Sequence, residues 1–295
     1  MKEDVTSVSS DDRFREFGVR CRLNYGEVGV RLPDGTEIEN QVTNEVYLLE
    51  HYLSHGGFGT AFLARRLRGD KPVGDPVCVK LSTDADSWHG EAYYGSRLRG
   101  RSNVVQQEDA FPTSVVTGGR RRAAFALVME YVKTGTVRDA CVAGRLPWPE
   151  DRVARKVRGL LKPLALLHDV GVAHRDITPA NVFVGNRASL LLGDYGIARV
   201  GLRTSGIRAD VANWAFAPSD IGAFWKPADD VYQVGLLMMT LLHGDEVTNE
   251  FGAIAVNRLT SRTFGLRQVI KTAIGPRSRR FADAGELAKA LPSGR

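Results

Sequence analysis

A lysine stands inside an apolar run, Val77-Cys78-Val79-Lys80-Leu81. A strand that buries an ammonium must bring it a counter-charge or an anionic ligand. An edge strand with its lysine turned to water would read the same. Three other segments bear on the choice. Upstream lies Leu53-Ser54-His55-Gly56-Gly57-Phe58-Gly59-Thr60-Ala61, whose last glycine precedes Lys80 by 21 residues. Glycines between two strands let backbone N–H groups approach phosphate oxygens without interference from Cβ. A plain hairpin turn has the same composition. Downstream lies His174-Arg175-Asp176-Ile177-Thr178-Pro179-Ala180-Asn181. An aspartate and an asparagine five apart on a loop can aim at one point, the first taking a proton from an alcohol and the second binding a metal. Last comes Leu192-Gly193-Asp194-Tyr195-Gly196, a carboxylate in a tight turn after an apolar stretch, which suits Mg²⁺. Either of these two loops, taken singly, reads equally as an Asx turn.

The elements around these segments run in a definite order. Residues 1–12 are polar and acidic and are expected to be disordered. Apolar residues alternate between 18 and 41 around the turn signal Pro33-Asp34-Gly35, which predicts a β-hairpin in an N-terminal extension, residues 1–45. Strands are predicted at 46–53, 61–64, 77–81, 104–111 and 124–131, a polar linker at 65–75, and a helix at 88–98. Beyond Thr134 helix signals dominate. Residues 150–170 carry apolar side chains at Val153, Val157, Leu160, Leu161, Leu164 and Leu167. Short strands are predicted near Val182 and Leu190, and helices at 229–243, 264–274 and 283–291. Strands first and helices later make an α+β chain of two lobes, 46–132 and 133–295.

Composition excludes several function classes. Forty Lys and Arg against 34 Asp and Glu leave a charge of +6, but the basic residues are scattered. No basic face with interleaved aromatics is visible, so no nucleic-acid partner is expected. Cys21, Cys78 and Cys141 are far apart, which argues against disulfides or structural zinc and for a reduced, cytoplasmic protein. The N-terminus lacks the apolar core of a secretory leader. The most apolar run, 231–243, has 13 residues and includes Gln233, short of the roughly 18 a membrane helix needs. It is expected to be a core helix, with no membrane partner.

All four segments, in this order, resemble the eukaryotic-type (Hanks-type) serine/threonine protein kinase family: a Gly-rich loop, a strand lysine, H-R-D-x-x-x-x-N and a D-x-G turn. The resemblance covers roughly residues 46–291 and implies a bilobal protein-kinase-like fold, a small β-rich lobe above a helical one. It takes in Leu127-Val128-Met129-Glu130-Tyr131-Val132 as the hinge between lobes, Asp230 to Gly235 as the start of a buried helix, and residues 275–280 as the late arginine segment. The compact build looks bacterial.

The resemblance also implies roles. Leu53, Ser54, His55, Gly56, Gly57, Phe58, Gly59 and Ala61 would cover ATP, and Lys80 would hold its phosphates. Glu91 would pair with Lys80, ahead of Asp84 and Asp86, which read as loop. Backbone groups of Glu130 and Val132 would hold the adenine edge, with Met129 behind. Asp176 would be the catalytic base, and Asn181 and Asp194 would bind Mg²⁺. His174 and Tyr195 would pack behind the site. The implied reaction is transfer of the γ-phosphate of ATP to Ser or Thr of a protein substrate, with autophosphorylation at Thr204 or Ser205 near Arg175 as one route to activation.

Departures from the family pattern keep two alternatives open, a weak or inactive scaffold and a small-molecule kinase. Ser54 replaces the first loop glycine. Thr178 stands where the family carries a lysine at the γ-phosphate. Ala212, Ala215 and Ser219 replace a threonine, a tyrosine and a glutamate, the last of which pairs with a late arginine, here expected to be Arg279, with Asp220 as the stand-in carboxylate. Gly95, one turn after Glu91, stands where a bulky apolar residue is usual, which predicts a mobile helix held by the N-terminal extension, a dimer contact or an activating partner.

Overall fold

A computed structural model describes residues 30–56, 59–195, 199–200, 213–222, 224–258 and 264–292. The first half is one six-stranded antiparallel sheet. Its strands are β1 (Glu37–Asn40), β2 (Glu45–Gly56), β3 (Gly59–Arg68), β4 (Lys71–Ser82), β5 (Gln107–Thr117) and β6 (Arg120–Glu130), in spatial order β1-β2-β3-β4-β6-β5. The sheet curls until its edges meet: Asn40 Nδ2 of β1 donates to Asp109 Oδ2 of β5 at 2.9 Å. Alternate residues point inward, so Tyr47, Leu49, Phe62, Val79, Leu81, Phe111 and Val128 form the upper core.

One helix, α1 (Ala85–Arg97), lies between β4 and β5. It starts where Asp84 Oδ1 accepts from the backbone N–H groups of Asp86 at 3.0 Å and Ser87 at 3.3 Å, an N-cap that satisfies two of the orphan donors of the first turn. That cap is why the helix begins three residues ahead of the predicted start at 88.

The second half is helical: α2 (Val137–Val142), α3 (Glu150–Asp169), α4 (Pro227–His243), α5 (Asn249–Arg258), α6 (Phe264–Ala273) and α7 (Ala284–Ala290). Two small antiparallel ladders sit among them, β8 (Val182–Val184) with β9 (Leu190–Leu192), and β7 (Val172–Ala173) with β10 (Arg199–Val200). The apolar stripe of α3 packs on α4, which is buried from Ala228 to Leu241. None of the described helices is long and apolar enough to cross a membrane.

Two expectations are corrected. Residues 65–75 are not a linker but the outer ends of β3 and β4, with Arg66, Leu67 and Arg68 facing Val73, Pro72 and Lys71. Their charge is paired across the sheet: Arg66 reaches Glu45 at 3.2 Å and Glu108 at 3.0 Å. The strand predicted at 104–111 begins at Gln107 and runs through Pro112 to Thr117. Its position at the end of the strand order is where a proline in a sheet is tolerated. Half of the predicted N-terminal hairpin, residues 18–29, lies outside the described residues. Of it, the turn at 33–36 is seen, and β1 pairs with residues 45–48 of β2.

Candidate active site

The cleft is built from the inner ends of β2, β3 and β4 above and the loop after β7 below. Gly56 and Gly59 close the β2–β3 hairpin opposite each other; Gly57 and Phe58 lie outside the described residues. Gly59 has φ +146°, and a Cβ there would stand 2.5 Å from the Leu81 carbonyl oxygen. The glycine thus lets β3 start flat against β4. Leu53, Ser54 and His55 are exposed along the hairpin, and His55 Nδ1 lies 3.0 Å from the Thr60 hydroxyl. Ala61 is the direct partner of Lys80 across β3 and β4, while Met129 faces Cys78 across β4 and β6.

Lys80 Nζ donates to both Glu91 oxygens, at 2.9 and 2.8 Å, and to Asp194 Oδ1 at 3.0 Å. Burial works against the ammonium, but the Asp194 and Glu91 carboxylates outweigh it and hold the pKa above the usual lysine value. The counter-charge demanded by a lysine in an apolar strand therefore comes from two elements distant in sequence. Gly90 and Gly95 do not prevent α1 from carrying Glu91, only 4 % exposed, into this contact. Asp84 is spent on the helix cap.

Across the cleft, Asn181 Nδ2 donates to Asp176 Oδ2 at 2.7 Å and to the Asp176 carbonyl at 3.1 Å. Asp176 Oδ1 is buried and has no hydrogen-bond partner among the described residues. Burial first, and then the Asp194 charge, push the Asp176 carboxyl up to about 7, against the pull of Asn181, Lys80 and Arg138. Thr178 is buried and closes the loop through its backbone, its N–H donating to Asp176 O at 3.0 Å and its carbonyl accepting from Asn181 N at 3.0 Å.

The loop is held from beneath by α4. Asp230, fully buried, accepts four hydrogen bonds: from His174 N at 2.6 Å, Arg175 N at 2.8 Å, Trp225 Nε1 at 2.8 Å and His168 Nε2 at 2.9 Å. One turn on, Gln233 accepts from Ile177 N at 2.9 Å and donates to the Arg175 carbonyl at 3.0 Å. Burial works against the Asp230 charge, but the hydrogen bonds and charges of His168 and His174 outweigh it and hold the carboxyl below the usual carboxylate range. Behind the site the His174 and Tyr195 rings meet with centroids 5.2 Å apart. From the sequence Asp230 reads only as the start of a buried helix. The signal available was a carboxylate and an amide three apart opening an apolar helix.

At the hinge, Glu130 is tied to Gln106 twice, by its own N–H at 2.9 Å and through its carboxylate at 2.8 Å, and Val132 O accepts from Gly135 N at 2.9 Å. The late arginine is Arg280, not Arg279. Arg280 is buried, reaches Asp229 Oδ1 at 3.1 Å, pairs with Asp220, and lies over the Tyr232 ring, whereas Arg279 is exposed. The short turn at Arg277–Arg279 sends the later side chain inward. Ser219 leaves the pairing to its neighbour Asp220. Thr204, Ser205, Ala212 and Gly196 lie outside the described residues.

Among the described residues no group of three or more His, Cys, Asp or Glu side chains makes a metal cage. A Mg²⁺ ion does not need one, because it takes one or two protein oxygens and completes its shell with water and phosphate. The Asn181 amide oxygen and the Asp194 carboxylate are hard donors of that kind, and the amide's NH₂ is already committed to Asp176.

A two-lobed fold with a glycine hairpin, a lysine ion-paired to a helix glutamate, and an Asp–Asn loop braced by a buried helix defines the protein kinase class. The sequence matches the protein kinase domain over residues 47–286, and the chain belongs to that family. It is similar to the serine/threonine-protein kinase PknL of Mycobacterium tuberculosis (strain ATCC 25618 / H37Rv), with 26 % identity over 223 residues, 74 % of this chain and 53 % of the relative. It is 29 % identical over 275 residues to the serine/threonine-protein kinase PknJ of the same strain, covering 83 % of this chain and 44 % of that one. A putative cyclin-dependent kinase F-2 of Oryza sativa subsp. japonica is 31 % identical over 206 residues, 65 % of this chain and 60 % of the relative. The chain spans about half the length of the Mycobacterium relatives it matches.

Proposed function

We propose that this chain is an ATP- and Mg²⁺-dependent protein kinase that phosphorylates Ser or Thr hydroxyls of a protein. The reading is carried by one observation: Asp176 keeps a buried carboxylate oxygen without a partner among the described residues, on the loop whose Asn181 and whose neighbour Asp194 supply metal-type oxygens.

In this reading Asp176 Oδ1 accepts the proton of the acceptor hydroxyl as that oxygen bonds to phosphorus and ADP leaves. Asn181 fixes the other carboxylate oxygen, so the base presents one lone pair in a set direction. Lys80 offers its ammonium to the phosphates of ATP, and Glu91 keeps that ammonium aimed across the cleft. Asn181 and Asp194 would hold Mg²⁺, which supplies charge neutralisation when bound. The hairpin at Gly56 and Gly59 covers the nucleotide, and Ala61 and Met129 line it. Thr178 leaves the loop without the extra cation usual in the family, so phosphate neutralisation falls on Lys80 and the metal.

The test is incubation of the purified chain with Mg²⁺ and labelled ATP, alone and with a generic protein acceptor, read by intact mass and site mapping. Phosphate on Ser or Thr, absent in Lys80→Met, is the expected result. ATP binding with phosphate found only on added small alcohols would overturn the protein-kinase reading.

A further inference from the structure

The two ends of the strand order, β1 and β5, share no ladder among the described residues, yet side chains join them. Asn40 is buried, and its Oδ1 accepts from Val42 N at 3.0 Å, which shapes the turn after β1. Its Nδ2 is left to reach Asp109 Oδ2 at 2.9 Å. The hydroxyl of buried Tyr47, on β2, donates to the same oxygen at 3.3 Å, and the Tyr47 ring stacks on Phe111. Beside Asp109, Glu108 takes Arg66 of β3 at 3.0 Å. Val30, Leu32 and Ile38 are buried in the upper core, so the segment that carries Asn40 is part of the lobe.

These contacts converge on a bulge. The register of β5 on β6 shifts between Gln107, which faces Met129, and Asp109, which faces Val128, so Glu108 is the extra residue. A bulge leaves one residue unpaired and bends its strand, so the ladder alone does not fix its place. Here the extra residue and the one after it are held by side chains from β1, β2 and β3. On the other side of the bulge lies the hinge. Gln106 O accepts from Glu130 N at 2.9 Å, and Gln106 N donates to the Glu130 carboxylate at 2.8 Å. A bulge that slipped by one residue would carry Gln106 off Glu130.

We propose that Asp109 is a positioning residue for the hinge: clasped by Asn40 and Tyr47, it pins the bulge in β5 and so keeps Gln106 paired with Glu130. The added strand β1 thereby supports the nucleotide site from the far side of the sheet. The effect on ATP rests on the kinase reading above, in which Glu130 holds the adenine edge. The pinning of the bulge does not.

The experiment uses the full chain and three variants. Asn40→Asp keeps the turn acceptor but sets a carboxylate against Asp109. Asn40→Asp combined with Asp109→Asn swaps donor and acceptor and restores the bond. Tyr47→Phe keeps the ring on Phe111 and removes only the hydroxyl. Two quantities are read. One is amide hydrogen exchange at Gln106 and Glu130 with α4 as internal reference, which needs no nucleotide. The other is the affinity for ATP with Mg²⁺, with the phosphotransfer rate at saturating ATP beside it. Asn40→Asp is expected to speed exchange at both amides by about tenfold and to weaken ATP binding about three- to tenfold, with α4 unchanged and the saturated rate within about twofold of wild type. The swapped pair is expected to return both quantities to within about threefold of wild type. Tyr47→Phe is expected to lie between.

A clasp that only steadies the sheet predicts something else: faster exchange in β1 and along β5, with both hinge amides and ATP affinity as in wild type. That outcome in Asn40→Asp would overturn the proposal, as would a swapped pair no better than the single variant. Should Asn40→Asp not fold, Tyr47→Phe decides. Hinge amides exchanging as in wild type then sink the proposal, and faster exchange at both with α4 unchanged sustains it. A wild-type chain that binds no ATP would defeat the kinase reading and leave the exchange comparison decisive here.

Discussion

Asn181 Nδ2 donates to one oxygen of Asp176 at 2.7 Å, and the other oxygen, Oδ1, is buried with no partner among the described residues. A buried carboxylate oxygen left unpaired is costly in a protein that only needs to be stable. It is what a loop needs if that oxygen is to take a proton from an incoming hydroxyl. The arrangement is expensive to hold, and the bracing beneath it from Asp230 and Gln233 is correspondingly complete.

Lys80→Met removes the ammonium that both Glu91 and Asp194 face. Turnover at saturating ATP is expected to fall about 10²–10³-fold, the usual cost of losing one charged transition-state contact. Lys80→Arg is not expected to rescue it, because a planar fork cannot take the place of a compact ammonium between two carboxylates. Steady-state rates of the two variants check this. A Lys80→Arg rate near wild type would contradict it.

Asp230→Ala strips the acceptor from four buried donors at once. The expected loss is about 3–5 kcal/mol of stability, the range for breaking a buried charged network from one side. Urea unfolding measures it as a drop in midpoint at constant slope. A shift worth less than about 1 kcal/mol would mean that the loop is held elsewhere.

His174 is fully buried, and burial lowers its pKa below the ordinary value of 6.5, although Asp230 and Asp194 pull upward. Below pH 6.5 the unfolded chain therefore binds a proton that the folded one refuses. Stability is at its full value above 6.5 and falls as pH drops toward the lowered folded pKa. Melting temperature measured from pH 7.5 to 5 is expected to decline more steeply in the wild type than in His174→Phe, which keeps a ring against Tyr195. Parallel curves would count against this assignment.

Gly59→Ala places a methyl 2.5 Å from a backbone carbonyl in a conformation, φ +146°, that side chains rarely adopt. A cost of about 1–3 kcal/mol is expected, with a raised KM for ATP as the hairpin lifts. The Cβ of Gly56→Ala meets nothing within 4 Å, so its unfolding midpoint should stay in place. Equal midpoints for the two variants would remove the argument for close packing of β3 on β4.

The residues that converge in the cleft were legible because their chemistry ties residue type to spacing. Lys80 in an apolar run calls for an anion, and it is the resemblance to the kinase family that puts Glu91, ahead of Asp84 and Asp86, beside it. The cap made by Asp84 shows why a nearer carboxylate was unavailable. What was missed depended on contacts between distant segments. The long hairpin at 65–75 pairs Arg66, Leu67 and Arg68 with Val73, Pro72 and Lys71, and Arg66 also meets Glu45 and Glu108 from other strands, which no local pattern encodes. The choice of Arg280 over Arg279 turns on which side chain a three-residue turn points inward. From the sequence Gly95 reads only as a missing apolar side chain on the helix that carries Glu91. The side chain that lies beside it, Gln107, comes from another element.

The most direct test of the central claim compares wild type with Asp176→Asn for phosphate transfer from labelled ATP at saturating Mg²⁺, with ATP affinity measured in parallel. The account predicts that the substitution lowers the rate by about 10²–10⁴-fold, the contribution of a positioned general base, while ATP binds as in wild type. An Asp176→Asn protein that transfers phosphate at the wild-type rate would contradict it.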